Sequence, residues 1–319
     1  MCIFVTTILE NILITGGAGY IGSVLSKFLL DQGYSVTVLD NFRYRQNSLL
    51  DCCYSKNFKV IRGDVSDETA LSSSLENQDF IIHLAALVGA PICNANKNET
   101  YSTNFESTKL LLKLRKEHQK ILFPCTNSGY GIGEKGKFCT EDSPLRPISL
   151  YGQTKVNSEQ AILDAGNSIS FRLATVFGVS PRMRLDLLVN DFVYKAMTDK
   201  FIGIFEGHFQ RNYIHIRDVV RVFHFGIKNF EKMKNQAYNV GLSDANLSKL
   251  ELCEKIKKHL SDFIYVESKL GKDPDKRDYV VSNEKIENMG FKPEFSLDFG
   301  IKELIKCYKI LPKQSFGNL

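Results

Sequence analysis

"NILITGGAGYIG", residues 11–22, is the stretch on which the fold turns. "NILIT" is a short apolar run of the kind found in strands buried on both faces. It ends in glycines. From Ile21 to Gln32 the apolar residues Ile21, Leu25, Phe28 and Leu29 recur at helical spacing, and Gly33 stops them. Gly16, Gly19 and Gly22 fall at three-residue intervals between the strand and the helix. The first allows a tight turn, the second lets backbone approach a diphosphate, and the third lets helix pack close to strand. The helix N-terminus adds amide donors and a partial positive charge. The spacing alone is a weak signal. Its context strengthens it, because Asp40 ends a second strand about 20 residues on. An acid there accepts hydrogen bonds from an adenosine ribose and repels a 2′-phosphate. NAD is therefore expected over NADP, although Arg43 and Arg45 stand close by.

Outward from this unit the alternation repeats. "YSVTVLD", "FKVIRGD", "DFIIHLAA", "KILFPCT" and "ISFRLATVFG" are β-rich runs, most of them followed by a helical stretch. This predicts an α/β fold, a Rossmann-type doubly wound parallel sheet with helices on both faces. Ligands bind at the carboxyl ends of such strands. Gly16–Gly22, Asp40, Asp64, Ala85, Ala86 and Thr126 therefore share one edge. Asp64 either meets an adenine or caps a helix. After about residue 178 the rhythm changes. Helix-like "LDLLVNDFVYKAMTD" and short "FIGIF" precede "NYIHIRDVVRVFHFGI", "QAYNVG" and a last helix from about Ser296 to Leu311. The expected division is a cofactor domain over 1–177 and a smaller, interleaved substrate lobe over 178–319, with segments near 212–242 returning to the main sheet. The tail "PKQSFGNL" is expected to fray.

The 319 residues are 43% apolar and 24% charged, enough for a sizeable core. No apolar run reaches the roughly 18 residues of a membrane span. The leader "MCIFVTTILE" lacks a basic start and a cleavage site, so it reads as a short extension. Eight cysteines are scattered with no C-x-x-C pair, and six histidines lack ligand spacing. Free thiols in a reducing cytoplasm and no metal are the expectation. His83 reads as a strand residue. A net charge of +5, dispersed, excludes a nucleic-acid protein and suits a binder of small anions.

"YGQTK", residues 151–155, places Tyr151 and Lys155 at i and i+4 on one helix face. A nearby ammonium and a positively charged nicotinamide lower a phenol's pKa, so Tyr151 is the candidate to take a proton from a sugar hydroxyl. Lys155 also suits the nicotinamide ribose. "CTNSGYG", residues 125–131, ends the strand that precedes them and offers hydroxyls and an amide but no acid.

Taken together, "TGGAGYIG", "LDN", "GDV", "HLAA", "CTNSGYG", "YGQTK", "RNYIHIRD" and "DKRDYVVSNEKIENMGFKP" resemble the extended short-chain dehydrogenase/reductases, in their nucleotide-sugar epimerase/dehydratase group. The likeness covers nearly the whole chain. It implies that Thr126 is the hydroxyl that positions the reacting sugar oxygen beside Tyr151. It also implies that Tyr20, Ile21, Asn41, Val65, Leu84 and Asn104 join the cofactor site. Val88 and Gly89 would line the sugar side, and Asn190, Arg211 and Arg277 would hold a diphosphate, unless Arg277 pairs with Asp275 or Asp278. "FIGIF" is similar to a segment that grips the nucleotide base through its backbone. The group's dehydratases carry Asp-Glu directly after the Thr. Here Asn127 and Ser128 stand there, neither an acid or base near pH 7, so elimination is not expected and hydride transfer remains. "LAALVGAP", "TNSGYGIGEK" and "RLATVFGVSPRMRLDLLVNDF" are similar to the branch that oxidises C4 of GDP-D-glycero-α-D-manno-heptose in bacterial capsule heptose modification. That implies a nucleotide-diphosphate sugar, GDP-heptose, as the partner. Arg182 and Arg184 then reach phosphate or heptose, or else serve structure or a subunit contact. A C4-epimerase or 4-keto reductase is the alternative, and a non-catalytic NAD sensor a third reading. The resemblance also implies a homodimer or homotetramer, paired through the Tyr151 helix and the helix near 103–118.

Overall fold

The computed structural model describes residues 10–268 and 277–311. Residues 1–9 of the leader, the tail "PKQSFGNL" and Asp275 lie outside them. Twelve strands are present among the described residues: β1 Asn11–Thr15, β2 Ser35–Asp40, β3 Phe58–Arg62, β4 Phe80–His83, β5 Lys120–Thr126, β6 Ser168–Leu173, β7 Thr175–Phe177, β8 Phe201–Phe205, β9 Gln210–His215, β10 Gln236–Val240, β11 Asn246–Ser248 and β12 Ile264–Ser268. Seven of them form the main sheet in the order β10-β6-β5-β4-β1-β2-β3, and every pairing is parallel.

Side-chain alternation on β1 shows why helices cover both faces. Ile12 and Ile14 enter one core with Leu25 and Leu29 of the first helix, α1 (Tyr20–Asp31), and with Val219 and Phe223 of the helix Ile216–Lys228. Leu13 enters the opposite core with Leu71, Leu111 and Ile162. Burying each such side chain contributes about 1.5–3 kcal/mol. The chain order reverses between β1 and β4, which opens a crevice at the carboxyl ends of these strands. α1 starts one residue before the expected Ile21 and ends at Asp31, one before the expected Gln32, which caps it, with Gly33 at φ +88°.

The run "ISFRLATVFG" is expected to be one strand. It is two. β6 ends at Leu173, opposite Thr126, and after Ala174 the chain leaves the main sheet. β7 pairs instead with β9 in a three-stranded sheet completed by β11. Of the segments near 212–242, β10 joins the main sheet and the helix Ile216–Lys228 packs into the core on one of its faces, while β9 stays in the small sheet. The lobe has its own core, with Val189, Phe192, Ile202, Ile204, Leu252 and Leu304. In "FIGIF" only Ile202 and Ile204 turn inward. The last helix among the described residues is Leu297–Tyr308, capped by Ser296 Oγ accepting from Phe299 N at 3.2 Å. The helix near 103–118 is two α segments, Lys97–Tyr101 and Ser107–Leu114, joined by a π turn at Ser102–Glu106. The described cysteines form no disulfide, and no described helix is long and apolar enough to cross a membrane.

Candidate functional site

One cavity of about 1160 Å³ runs along the carboxyl ends of the strands and beneath the lobe. Single small ligands occupy roughly 300–1,000 Å³, so this space suits two ligands end to end. It is lined by Gly16, Gly19, Tyr20, Ile21, Gly22, Asp40, Asn41, Asp64, Val65, Leu84, Ala85 and Ala86 at one end, and by Val88, Gly89, Thr126, Ser128, Tyr151, Lys155, Arg211 and Arg277 further along.

The glycine loop is built for contact. Gly16 has φ +71°, and a Cβ there would lie 2.7 Å from the amide nitrogen of Ala85. A Cβ on Gly22 would lie 2.4 Å from the Gly16 carbonyl oxygen. Only hydrogen at both positions lets the loop, α1 and the end of β4 meet. Gly19 caps α1 without any side-chain hydrogen bond, so the helix N-terminus faces the cavity as bare backbone. Asp40 closes the cradle. Its Oδ2 accepts from Ala18 N at 2.9 Å and its Oδ1 from Phe42 N at 2.7 Å. Burial pushes its pKa up, against the pull of those two amides and of Arg182. Burial also opposes ionisation of Asp64, but Ser66 N–H and O–H, Asn41 and Arg43 outweigh it and hold this carboxyl below its ordinary range. The helix cap after β3 is Asp67, which accepts from Thr69 N and Ala70 N, and Asp64 is left to line the cavity. These residues fit a dinucleotide such as NAD: a cradle without Cβ atoms, a helix N-terminus and two acids beyond it.

Further along, Thr126 sits at the end of β5. Its Oγ1 donates to Ser128 Oγ at 3.0 Å and accepts from Ser128 N at 3.1 Å. Arg277, arriving from the lobe, donates to the same Ser128 Oγ. Tyr151 lies in the first turn of the helix Leu150–Asp164, which Ser149 Oγ caps by accepting from Gly152 N at 3.2 Å. Lys155 follows one turn later, buried, with its ammonium 3.8 Å from the Phe123 ring centroid. Burial brings its pKa down to about 8. The lowering expected for the Tyr151 pKa combined a neighbouring ammonium with a positively charged nicotinamide, and burial works against it. Burial against Leu87, Ile92 and Cys93 pushes the phenol well up. Cys125 and Cys93 add to that, and the cations opposing it are Arg184 and Arg277.

Three expected contact residues do not line the cavity. Asn104, in the π turn, accepts from Leu87 N at 2.8 Å and donates to Leu87 O at 2.9 Å, so it fixes the loop after β4 from behind. Asn190 accepts from Gly178 N at 3.1 Å and donates to Arg184 O at 2.9 Å, which braces the strap 178–187. Asn127 is buried, and neither of its amide atoms has a hydrogen-bond partner among the described residues. "FIGIF" also lies off the cavity wall, although Lys249, which lines it, donates to Phe205 O at 2.9 Å. Arg182 lines the cavity with its guanidinium 3.9 Å from the Tyr44 ring centroid, and its charge acts on Asp40. Arg184 donates to both carboxylate oxygens of Asp186, at 3.1 Å and 2.5 Å. Arg211 donates to Gln210 O at 2.8 Å. Sequence reasoning missed Tyr44, Asp186 and Lys249. An aromatic four residues after Asp40 is the one signal that pointed to any of them.

The pattern described as the NAD dependent epimerase/dehydratase family matches residues 12–241. Agl12, a low-salt glycan biosynthesis protein of Haloferax volcanii, is 27% identical over 313 residues, covering 93% of this chain and 98% of that protein. A UDP-glucose 4-epimerase of Corynebacterium glutamicum is 27% identical over 309 residues, 89% of this chain and 91% of its own. Among solved structures, a UDP-glucuronic acid 4-epimerase of Bacillus cereus, in complex with UDP-glucuronic acid and NAD, superposes with a TM-score of 0.83 at 25% identity. That match covers 94% of this chain and 99% of that one.

Proposed function

Because the chain belongs to the NAD dependent epimerase/dehydratase family, we propose that it oxidises C4 of a nucleotide sugar, and that this sugar is GDP-D-glycero-α-D-manno-heptose. The observation that carries the reaction class is the surroundings of Thr126. Its chain neighbours are Asn127 and Ser128, Ser128 Oγ accepts from the cation Arg277, and among the described residues no carboxyl group hydrogen-bonds Thr126 or Ser128. Elimination of a sugar hydroxyl needs an acid to protonate the leaving oxygen. Acids elsewhere on the wall are engaged, Glu99 with Arg43, Asp186 with Arg184 and Asp191 with Lys195.

NAD, when bound, supplies the acceptor for the C4 hydride. Thr126 Oγ1, held by Ser128, orients the C4 oxygen. Tyr151 takes the hydroxyl proton as the carbonyl forms. Its phenol must first be emptied of its own proton, and Lys155, one turn away with a pKa near 8, exchanges protons close to neutrality. Arg277 and Arg211 supply positive charge for the sugar diphosphate. The likeness of "SPRMR" and its flanks to GDP-heptose oxidases supports the choice of sugar.

A C4-epimerase is the second reading, favoured by the Corynebacterium relative's being a UDP-glucose 4-epimerase and by a cavity with room for a sugar to turn. The test is NMR of protein incubated with GDP-heptose, and separately with UDP-hexoses, while NADH absorbance is followed. A second tube contains a 2-oxo acid to accept hydride from tightly held NADH. A 4-keto product from the GDP sugar supports the oxidase. A C4 epimer without net NADH replaces it with the epimerase.

A further inference from the structure

We propose that Asp186 is a specificity-determining residue: its carboxylate, fork-paired with the buried Arg184 on the cavity wall, cancels that cation, so that the site takes an uncharged sugar and turns away a uronic acid. The inference rests on the cavity's binding a nucleotide sugar, as proposed above. The strap sets the pair in place by alternation. Met183 is buried in the core of the lobe and Leu185 packs partly against it, while Arg184 and Asp186 line the cavity. The backbone beneath is fixed. Asn190 Nδ2 donates to the Arg184 carbonyl oxygen at 2.9 Å, and the Asn190 carbonyl oxygen accepts from Tyr308 OH at 2.9 Å.

The two members of the pair are not equally placed. The Arg184 side chain is 8% exposed and that of Asp186 is 37% exposed, so the carboxylate is the outer group. Arg184 Nη2 also lies 3.5 Å from the Val88 carbonyl oxygen, and it is the nearest atom, at 3.8 Å, to a Cβ built on Gly89. That loop leads into the short helix Ala90–Ala95, whose Ile92 and Cys93 pack on Tyr151. Arg184 is first among the cations whose charge opposes the burial of the Tyr151 phenol. The pair thus belongs to the reacting end, where the ring substituents beside C4 arrive. A fork-paired guanidinium and carboxylate present polar groups to sugar hydroxyls without net charge. A uronate arriving there gives up its water and meets a like charge in front of the cation, so nothing offsets its desolvation.

The experiment is isothermal titration of protein holding NADH, so that no sugar is oxidised, with two pairs of ligands. GDP-heptose and GDP-mannuronic acid form one pair, UDP-glucose and UDP-glucuronic acid the other. Within each pair the group on C5 differs in charge. Wild-type protein is expected to bind the neutral member of its preferred pair about tenfold tighter or more. Asp186→Asn keeps the shape and removes the charge, and should narrow that ratio about tenfold or more, the size of one charge-assisted contact. Arg184→Gln leaves the carboxylate alone and should widen the ratio. Combining the two substitutions should abolish the narrowing. Each variant is checked for its melting temperature. A wild-type preference for the uronate overturns the proposal. So does an unchanged ratio in Asp186→Asn, and so does equal narrowing in the combined variant, which would give the uronate to another cation. If Asp186→Asn does not fold, a ratio in Arg184→Gln equal to that of the wild type overturns it. Wild-type protein that binds no member of either pair would instead sink the nucleotide-sugar reading itself.

Discussion

Replacing Tyr151 by Phe removes one oxygen and leaves the ring packed on Leu87, Ile92 and Cys93. Turnover should fall about 10²–10⁴-fold, with NAD affinity unchanged by titration. Unchanged turnover would favour the sensor reading. With Lys155 brought down to about 8 by burial, kcat/KM should rise as pH passes that value. A Lys155→Met variant should lose this limb of the profile. A second titration concerns stability. His83 ends β4, with Nδ1 2.8 Å from Thr15 Oγ1, and burial lowers its pKa from 6.5 to about 3. The unfolded chain binds the proton first. Stability is therefore full above 6.5 and is lost as pH falls toward 3, by up to about 1.4 kcal/mol per pH unit. His83→Gln should flatten the acid side of a plot of Tm against pH. If its slope matches that of the wild type, another group governs acid unfolding. Residues whose place on the cavity wall follows from local spacing were legible in the sequence: the three glycines, Asp40, Tyr151 and Lys155. Asn104, Asn190 and Arg182 were not, because their amides and guanidinium engage Leu87, Gly178 and Tyr44, contacts that only tertiary packing creates.

Among the elements, α1 and the Tyr151 helix are fixed in different ways. α1 depends on the missing Cβ of Gly22, and Gly22→Ala should push the helix off the loop. NAD affinity should fall together with Tm, read by titration and calorimetry. Unchanged affinity would mean that the loop tolerates the shift. The Tyr151 helix is fastened to β6 by a buried ion pair. Glu159 Oε1 accepts from Arg172 Nη2 at 2.8 Å, and Ser170 Oγ donates to its other oxygen at 2.6 Å. Arg172 also reaches Tyr130 OH and the Glu141 carbonyl oxygen, at 3.1 Å and 2.9 Å. Glu159→Gln leaves a buried guanidinium without its carboxylate and should cost about 3–5 kcal/mol in denaturant unfolding. A cost below about 1 kcal/mol would show that water reaches the pair. The strands themselves were legible from their apolar runs. The break at Ala174 was not, since a continuous β-rich run does not disclose that its two halves belong to different sheets.

For the whole molecule, the cavity lies where the lobe meets the sheet edge, so occupancy by NAD should stabilise both together. A single shift of Tm upward with NAD, worth about 2.7 kcal/mol at a hundredfold excess over Kd, is the expected scan. Two separate transitions, only one of them moved by NAD, would mean that lobe and sheet unfold independently. The crossing at Ala174 has a consequence for how such a protein can be cut or recombined. The chain goes out to the small sheet through β7 and returns through the helix Ile216–Lys228 and β10 to finish the main sheet beside β6. A gene fragment stopped after Phe177 would carry every residue of the glycine cradle. It would still leave β6 as a raw edge and strip Leu25 and Leu29 of the helix that covers them. The two halves are thus not exchangeable modules. Shuffling lobes between relatives requires splicing at both ends of the excursion, with β10 kept in its home protein.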